Sequence, residues 1–492
     1  MAAETSSLIQ ETVREFHGWT KDPLNIPLHF KGQDNSKTDQ TNNVRNRFDD
    51  VDFQIIKNAV TSHFRTKYDD NPKTEEQNRW IELRHGAVTG NVSAIEWFKK
   101  EIEDLLIRHN WLSNPFPYPK AYGDIVEAVY QETYGIGGIS TWWKHPKFHE
   151  SEAASVIGTR IYFEFPNDPD NDLQEICYDS LMDVERVCIQ LSLRSSTGVL
   201  NKHNPSLEID MEDGTRVTIS IPPLTVEPQI VFRHFTMDRP TIQGIADKNT
   251  YPQEIVPVLD AIAAGRATSV FLGPVKSGKS TLMKAFIAKR KPSDRILVFH
   301  KNFDEIRLNK QLPNHKIMQY IITEDNIKTT FPLALRSDYE YIVVAECRSI
   351  EAEVFLKSSE RGRPGAMTNL HSMIVKDIPG LIADLIIEEY PSKNYDSQFR
   401  RAAKNIHIAF VLEEMPSRSK RLNQITAFDW NEETREFSTV DIMLWDENHQ
   451  TYRYSNQIPK GTLEIMRKYA PKETKRAMEV LDQLVKKQQT LQ

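Results

Sequence analysis

Apolar positions first recur at helical spacing between Ser93 and Trp111. Ile95, Phe98, Ile102, Leu105 and Leu106 share one face there and predict an amphipathic helix. Upstream, residues 1–80 are polar and rich in Asn, Asp, Gln and Lys. Within them Phe48 to Lys57 has a short helical pattern, and the remainder reads as surface or partner-binding structure. A proline-rich break at Asn114–Lys120 precedes a second predicted helix around Tyr122–Tyr134, and Gly135-Ile-Gly-Gly-Ile139 predicts a turn. Between 155 and 235 the pattern becomes that of strands. Ser155–Phe165 is β-branched and aromatic, and Gln229–Phe235 is a further strand. Leu207–Ile221 alternates on both sides of Asp213-Gly214 and predicts a hairpin ended by Pro222-Pro223. Helical spacing over Ser180–Leu193 interrupts the strands. Residues 236–250, with Asp238, Arg239, Pro240, Gly244 and Asp247, read as a linker. Beyond them short apolar strands alternate with amphipathic helices, the pattern of an α/β core. Residues 460–492 are helical and charged, and no fixed-period repeat is visible.

Composition narrows the class. At about 150 residues per domain, the length predicts roughly three units. A hydrophobic fraction of 39% and a charged fraction of 27% belong to soluble globular chains. The three cysteines, Cys177, Cys188 and Cys347, are too scattered for a disulfide framework or a zinc knuckle, which predicts a reducing compartment. The N-terminus lacks the basic start and apolar core of a signal peptide, and no stretch approaches the roughly 20 apolar residues of a spanning helix. A net charge of −7 argues against nonspecific nucleic-acid binding as the main task. The basic clusters Lys289-Arg290-Lys291 and Arg418–Arg421 read more simply as solvated faces than as binding patches.

The candidate chemistry centres on Gly273-Pro274-Val275-Lys276-Ser277-Gly278-Lys279-Ser280-Thr281. An apolar strand, Ala267–Leu272, runs into it and a helix follows at once, which is the setting a phosphate-binding P-loop requires. Gly273 and Gly278 let the backbone turn several N–H groups toward one anion, and the helix N-terminus adds a favourable dipole. Lys279 supplies a point charge to the β- and γ-phosphates, and the Ser280 hydroxyl is placed to ligate Mg2+. Such a loop needs a carboxylate on a neighbouring strand. Tyr341-Ile-Val-Val-Ala-Glu346 is an apolar strand ending in one, either a magnesium-shell group or a glutamate at an ordinary strand–loop junction. The segment Ile296–Ile306 reads as a strand running into Asp304 and Glu305, which by themselves read as surface acids. Arg361–His371 is a glycine-punctuated turn ending in a histidine that alone reads as structural.

Taken together and in this order, these segments resemble the secretion ATPase family that powers type II and type IV secretion, type IV pili and conjugation. The likeness is nearest the CpaF-like branch of tight-adherence pili and its conjugation-system relatives. Walker A matches Gly273–Thr281, and the acidic box resembles Lys301–Leu308. Walker B, with its preceding Leu-Arg, resembles Leu335-Arg336 followed by Ala345-Glu-Cys-Arg348 and then Glu351-Ala352. The histidine box resembles Glu360–His371. Met211–Val217, Ile221–Leu224 and Val231–Phe235 resemble the strand pair before the family's linker, and Phe399–Glu413 resembles its C-terminal core, so the likeness covers roughly 120–445. There are departures. Lys301 and Asn302 stand where the acidic box opens with Glu-Asp, Arg363 replaces the first histidine of its box, and Ala345 replaces the Walker B glycine.

The resemblance implies a RecA-like α/β P-loop ATPase domain (251–455) preceded by an α+β N-terminal domain (120–235) and the linker 236–250. Helical extensions, 1–119 and 456–492, flank them. It implies ATP and Mg2+ as cofactors, a homo-hexameric ring, and a membrane-embedded platform protein as partner. The chain would be cytoplasmic and peripheral to the membrane face. Glu346 would hold the magnesium shell or orient the attacking water, with Glu305 a second candidate for water activation and His371 alongside. Arg348, and Arg216 and Arg233 of the N-terminal domain, would sense the γ-phosphate. Because hydrolysis needs a correctly placed carboxylate, the altered acidic box leaves open a low-turnover nucleotide-binding scaffold as the alternative.

Overall fold

The computed structural model describes residues 50–491 apart from 70–73, 114–116, 169, 194–199, 238, 302–303, 305 and 324. The chain divides into two compact units between Thr236 and Met237.

In the first unit, helices α1 (Asp50–Phe64), α2 (Thr74–Thr89), α3 (Val92–Arg108) and α4 (Ile125–Thr133) surround an aromatic core of Phe64, Trp80, Phe98, Tyr130 and Tyr134. The polar stretch thus contains a folded core, built from Phe53, Ile56, Val60 and Phe64 along one face of α1. On α3 the buried positions are Ala94, Phe98, Ile102, Leu105 and Leu106, with Asn91 capping the helix by accepting from the Ala94 N–H at 3.1 Å. The rest of the unit is an antiparallel six-stranded sheet in the order β3-β2-β1-β6-β5-β4. Its strands are β1 (Ala153–Ile157), β2 (Arg160–Glu164), β3 (Leu173–Cys177), β4 (Ser206–Asp210), β5 (Arg216–Ser220) and β6 (Gln229–Arg233), with α5 (Leu181–Ser192) packed against it. The expected hairpin across Asp213-Gly214 is present, pairing Asp210 with Arg216. Ser155–Phe165, in contrast, is not one run. It breaks at Gly158, whose φ of 58° turns β1 back into β2.

The second unit is built on nine strands in the order β15-β14-β13-β12-β7-β11-β10-β8-β9. From β12 to β9 the pairing is parallel, through β7 (Ser269–Leu272), β8 (Arg295–Lys301), β9 (Lys316–Ile322), β10 (Tyr341–Val344), β11 (Met367–Leu370) and β12 (Ile408–Glu414). An antiparallel extension follows, with β13 (Lys420–Asn431), β14 (Glu436–Asp446) and β15 (Thr451–Tyr454). The central strands are buried on both faces, and β10 reads as an unbroken apolar run, whereas β7 opens on Ser269 and β11 carries Thr368 and Asn369. One face packs against α6 (Ile242–Asp247), α7 (Val256–Ala264) and α8 (Lys279–Lys289). The other packs against α9 (Ile327–Ala334), α10 (Glu351–Glu360), α11 (Ile378–Glu389) and α12 (Tyr395–Asn405). The charged C-terminal stretch forms α13 (Lys460–Tyr469) and α14 (Pro471–Leu491), and these bury Met466, Ala477 and Leu481 in the same cluster as α7. Gly265, after α7, has room for Met466 only because it carries no Cβ. Arg290 is not on a solvated face. It is 3% exposed, lies 4.2 Å from the Tyr341 ring centroid, and donates to the Ala263 and Gly365 carbonyls.

Candidate active site

β7 is anchored at the middle of the sheet, with Phe271 against Phe286 and Phe410, so its C-terminal end is a fixed platform. From it the chain turns through Gly273 at φ 141°, Lys276 at 64° and Gly278 at 94°. Only glycine fits at 273, where a Cβ would collide with the Leu412 carbonyl oxygen. The turn delivers the chain into α8, which starts at Lys279. Pro274 and Val275 are exposed at the loop's crest, while Ser277 is buried and its Oγ has no hydrogen-bond partner. Lys279 is 7% exposed, and its Nζ donates to the carbonyls of Gly273 at 2.8 Å and Pro274 at 2.6 Å. Burial pushes its pKa down to about 8, and the Glu346 carboxylate pulls the other way.

β10 lies two strands from β7, with β11 between them. Glu346 follows β10, and two groups meet its carboxylate. Arg348 Nη2 donates to Oε2 at 2.5 Å, and His371 Nε2 lies 2.5 Å from Oε1. Glu346, Arg348 and His371 thus form one cluster, although His371 comes from beyond β11. A residue that sequence reasoning missed joins this cluster to the loop. Asn369 on β11 is 4% exposed, and its Nδ2 donates to Ser280 Oγ at 3.0 Å and to the Ala345 carbonyl at 2.9 Å. No sequence signal singled it out, because β11 reads Met-Thr-Asn-Leu and its polar members are buried only through the order of the sheet.

Glu305 lies outside the described residues, as does Asn302. Asp304 is occupied locally. Its carboxylate accepts from the Arg307 N–H at 2.8 Å and from Gln319 Nε2 at 3.3 Å, closing the turn after β8. Lys301 reaches Glu351 Oε1 at 3.8 Å, and Glu351, 2% exposed, also accepts from the Ser349 N–H at 2.8 Å. The basic residue at the opening of the acidic box therefore has a buried carboxylate beside it. Arg216 and Arg233 belong to the first unit. They are paired directly across β5 and β6, and Arg216 Nε is 3.8 Å from Asp210 Oδ1.

The residues present fit a magnesium nucleotide. The loop is a cradle that a Cβ at Gly273 would destroy, Ser277 offers an unpartnered hydroxyl in it, and Lys279 carries the cation. Among the described residues no group of three or more His, Cys, Asp and Glu is arranged to hold a metal. Magnesium ordinarily takes only one or two protein oxygens and completes its shell with phosphate and water, which suits a hydroxyl and a carboxylate such as those of Ser280 and Glu346.

The chain is 28% identical over 184 residues to an uncharacterized protein of Methanocaldococcus jannaschii, covering 35% of this chain and 32% of the relative. It is 22% identical over 237 residues to the type IV secretion system protein VirB11 of Bartonella quintana, covering 40% and 65%. The match thus spans about a third of the first relative and just under two thirds of the second. Among solved structures, the ATPase DotB of Yersinia pseudotuberculosis aligns with 75% of this chain and 89% of its own at 14% identity and a TM-score of 0.43. The family described as type II/IV secretion system protein matches residues 159–409, just over half of the sequence, and the chain belongs to that family.

Proposed function

We propose that this protein is an ATPase that uses Mg-ATP hydrolysis to drive a secretion, pilus-assembly or conjugation machine. It would work as a ring of six copies on the cytoplasmic side of a membrane, against a membrane-embedded platform protein. One observation carries the reading. A P-loop with a buried lysine is tied, through an amide that bridges Ser280 Oγ and the Ala345 carbonyl, to the residue before a carboxylate that meets a histidine and an arginine. No helix among the described residues is long and apolar enough to cross a membrane.

The chain's own groups divide the work. Backbone N–H groups of the Gly273–Thr281 loop other than Pro274, with the α8 N-terminus, would hold the phosphates, and Lys279 would leave the loop carbonyls for the β- and γ-oxygens. Ser280 would ligate the magnesium, and Glu346 would hold its shell or orient the attacking water. The bound ion would neutralise charge developing on the transferred phosphoryl group. Arg348 and His371, which meet Glu346, would exchange that carboxylate for the γ-phosphate. Arg216 and Arg233, like charges on adjacent strands, repel one another and would gain from a shared anion. Glu305 stays a second candidate for water activation. Nucleotide turnover would then change the arrangement of the two units and so move the machine.

The direct test is phosphate release from Mg-ATP by the purified protein and by Lys279→Ala. Turnover by the wild type, and its loss in a variant that still melts cooperatively, is the expected result. An equal kcat in the variant would refute the assignment. The rival, a nucleotide-binding scaffold with little turnover, is favoured by Lys301 lying against Glu351 where the family has an acid. Tight ATP binding without phosphate release would decide for it.

A further inference from the structure

The P-loop and the strand bearing Glu346 are not hydrogen-bonded neighbours, because β11 runs between β7 and β10. On β11, Asn369 pairs in register with Phe271 of β7, and its own carbonyl accepts from the Cys347 N–H at 3.0 Å on the other side. Its carboxamide spans the same gap. Nδ2 has two protons. One goes to the Ala345 carbonyl at 2.9 Å and the other to Ser280 Oγ at 3.0 Å. The carbonyl can only accept, so the nitrogen, not the oxygen, must face it, and the orientation of the amide is fixed. Oδ1 is then left buried with no hydrogen-bond partner. An unpaired buried carbonyl oxygen costs free energy unless a donor arrives, which points to a bound species at this place.

We propose that Asn369 is a positioning residue for the magnesium of the bound nucleotide. It fixes the Ser280 hydroxyl through Nδ2 and offers Oδ1 to a water of the ion's shell. The inference rests on the P-loop ATPase reading given above. The stereochemistry is consistent. A serine hydroxyl has two lone pairs, so it accepts from Asn369 and ligates the cation at once. The amide also ties Ser280 to the strand end that carries Glu346, so the two motifs keep one spacing. Groups that orient a metal's ligands typically change metal affinity by about 10–100-fold when removed.

The readout is the ratio of the ADP Kd in EDTA to the ADP Kd in magnesium, measured by fluorescence with a labelled nucleotide. In Asn369→Ala this ratio falls about tenfold or more relative to wild type. Asn369→Leu, close in shape and without polar atoms, gives the same result and replaces the alanine variant if that one does not fold. A merely structural residue would act independently of Ser280. The second arm is therefore a double-mutant cycle with Ser280→Ala, in which the Asn369 effect on the ratio disappears once the hydroxyl is gone. An unchanged ratio in the Asn369 variants, or additive effects in the cycle, overturns the proposal while leaving the ATPase reading intact. A wild-type protein that binds no ADP, or binds it equally with and without magnesium, overturns the ATPase reading and the proposal with it.

Discussion

The buried lysine of the P-loop makes nucleotide affinity a function of pH, and the size of the effect follows from its surroundings. In the free protein burial holds the Lys279 ammonium at about 8, against the opposing pull of Glu346. A bound triphosphate places concentrated negative charge on that ammonium and returns its pKa at least to the ordinary value of about 10.4. Binding therefore favours the protonated lysine. Affinity is complete below pH 8 and is lost as pH rises through that value, by about tenfold per unit until the bound lysine itself titrates. Between pH 7 and pH 9 the Kd of Mg-ATP should rise about tenfold, equivalent to about 1.4 kcal/mol. The nucleotide itself contributes little in this window, since a terminal phosphate titrates near pH 6. Fluorescence titration of a labelled, slowly hydrolysed ATP analogue at half-unit pH steps would measure the slope. Calorimetry at pH 9 in buffers of different ionisation heat would count the proton taken up. Lys279→Arg keeps its charge throughout and should give weaker but pH-independent binding. A wild-type Kd constant from pH 7 to pH 9, or an equal fall in the arginine variant, would refute the reasoning.

Glu346→Gln should keep ATP binding and slow hydrolysis by at least about a hundredfold; normal steady-state turnover would move the role to another carboxylate. The double variant Arg216→Ala, Arg233→Ala should lose kcat with little change in Tm, and unchanged kinetics would leave both as ordinary strand arginines worth under about 1 kcal/mol. Light scattering with a slowly hydrolysed ATP analogue and magnesium should show a hexamer, and a strict monomer under every nucleotide condition would count against the ring. Glu353 is 4% exposed and meets Arg401 at 3.0 Å, Lys393 at 2.9 Å and Lys357 at 3.2 Å. Burial alone would raise its pKa, but the hydrogen bonds from Arg401 and Lys393 overcome this and hold it at about 2. Its stabilisation is thus present above an unfolded value of about 4.3 and lost as pH falls toward the folded one. Glu353→Gln should cost about 3 kcal/mol at pH 7 in urea unfolding and flatten the acid limb of stability, and a loss under about 1 kcal/mol would contradict this account.

Local signals were legible wherever the chemistry is local. The P-loop is a contiguous strand, turn and helix, and its glycines are needed by the backbone itself, so Gly273–Thr281 could be read directly. The hairpin at Asp213-Gly214 was readable for the same reason. The turn at Gly158 was hidden because both flanking strands are β-branched and aromatic, and a tight reversal needs only one left-handed residue. Helix α2 was missed because its hydrophobic face is thin. Trp80, Ala87 and Val88 are its buried apolar positions, and they gain their setting from helices elsewhere in the sequence. Asn369 could not be recognised from its neighbours. Its importance comes from sheet order, which places β11 between the strands bearing the two better-known motifs. Arg290 shows the converse error. A run of three basic residues looked solvated, yet its middle member closes under Tyr341.

The same sheet order has a consequence for synthesis on the ribosome. β7 is flanked by β11 and β12, and the oxygen that presses on Gly273 belongs to Leu412. The P-loop therefore emerges with neither lateral neighbour and waits for roughly 140 more residues before both exist, several seconds or more at the usual rate of elongation. Helix α7, made before the loop, waits longer still for its cover, since Met466, Ala477 and Leu481 come from the far end of the sequence. Contacts of such long span slow folding and leave apolar strands unpaired meanwhile. A nascent chain halted just after α8 would then display the complete phosphate-binding motif and still lack the walls that give the motif its shape.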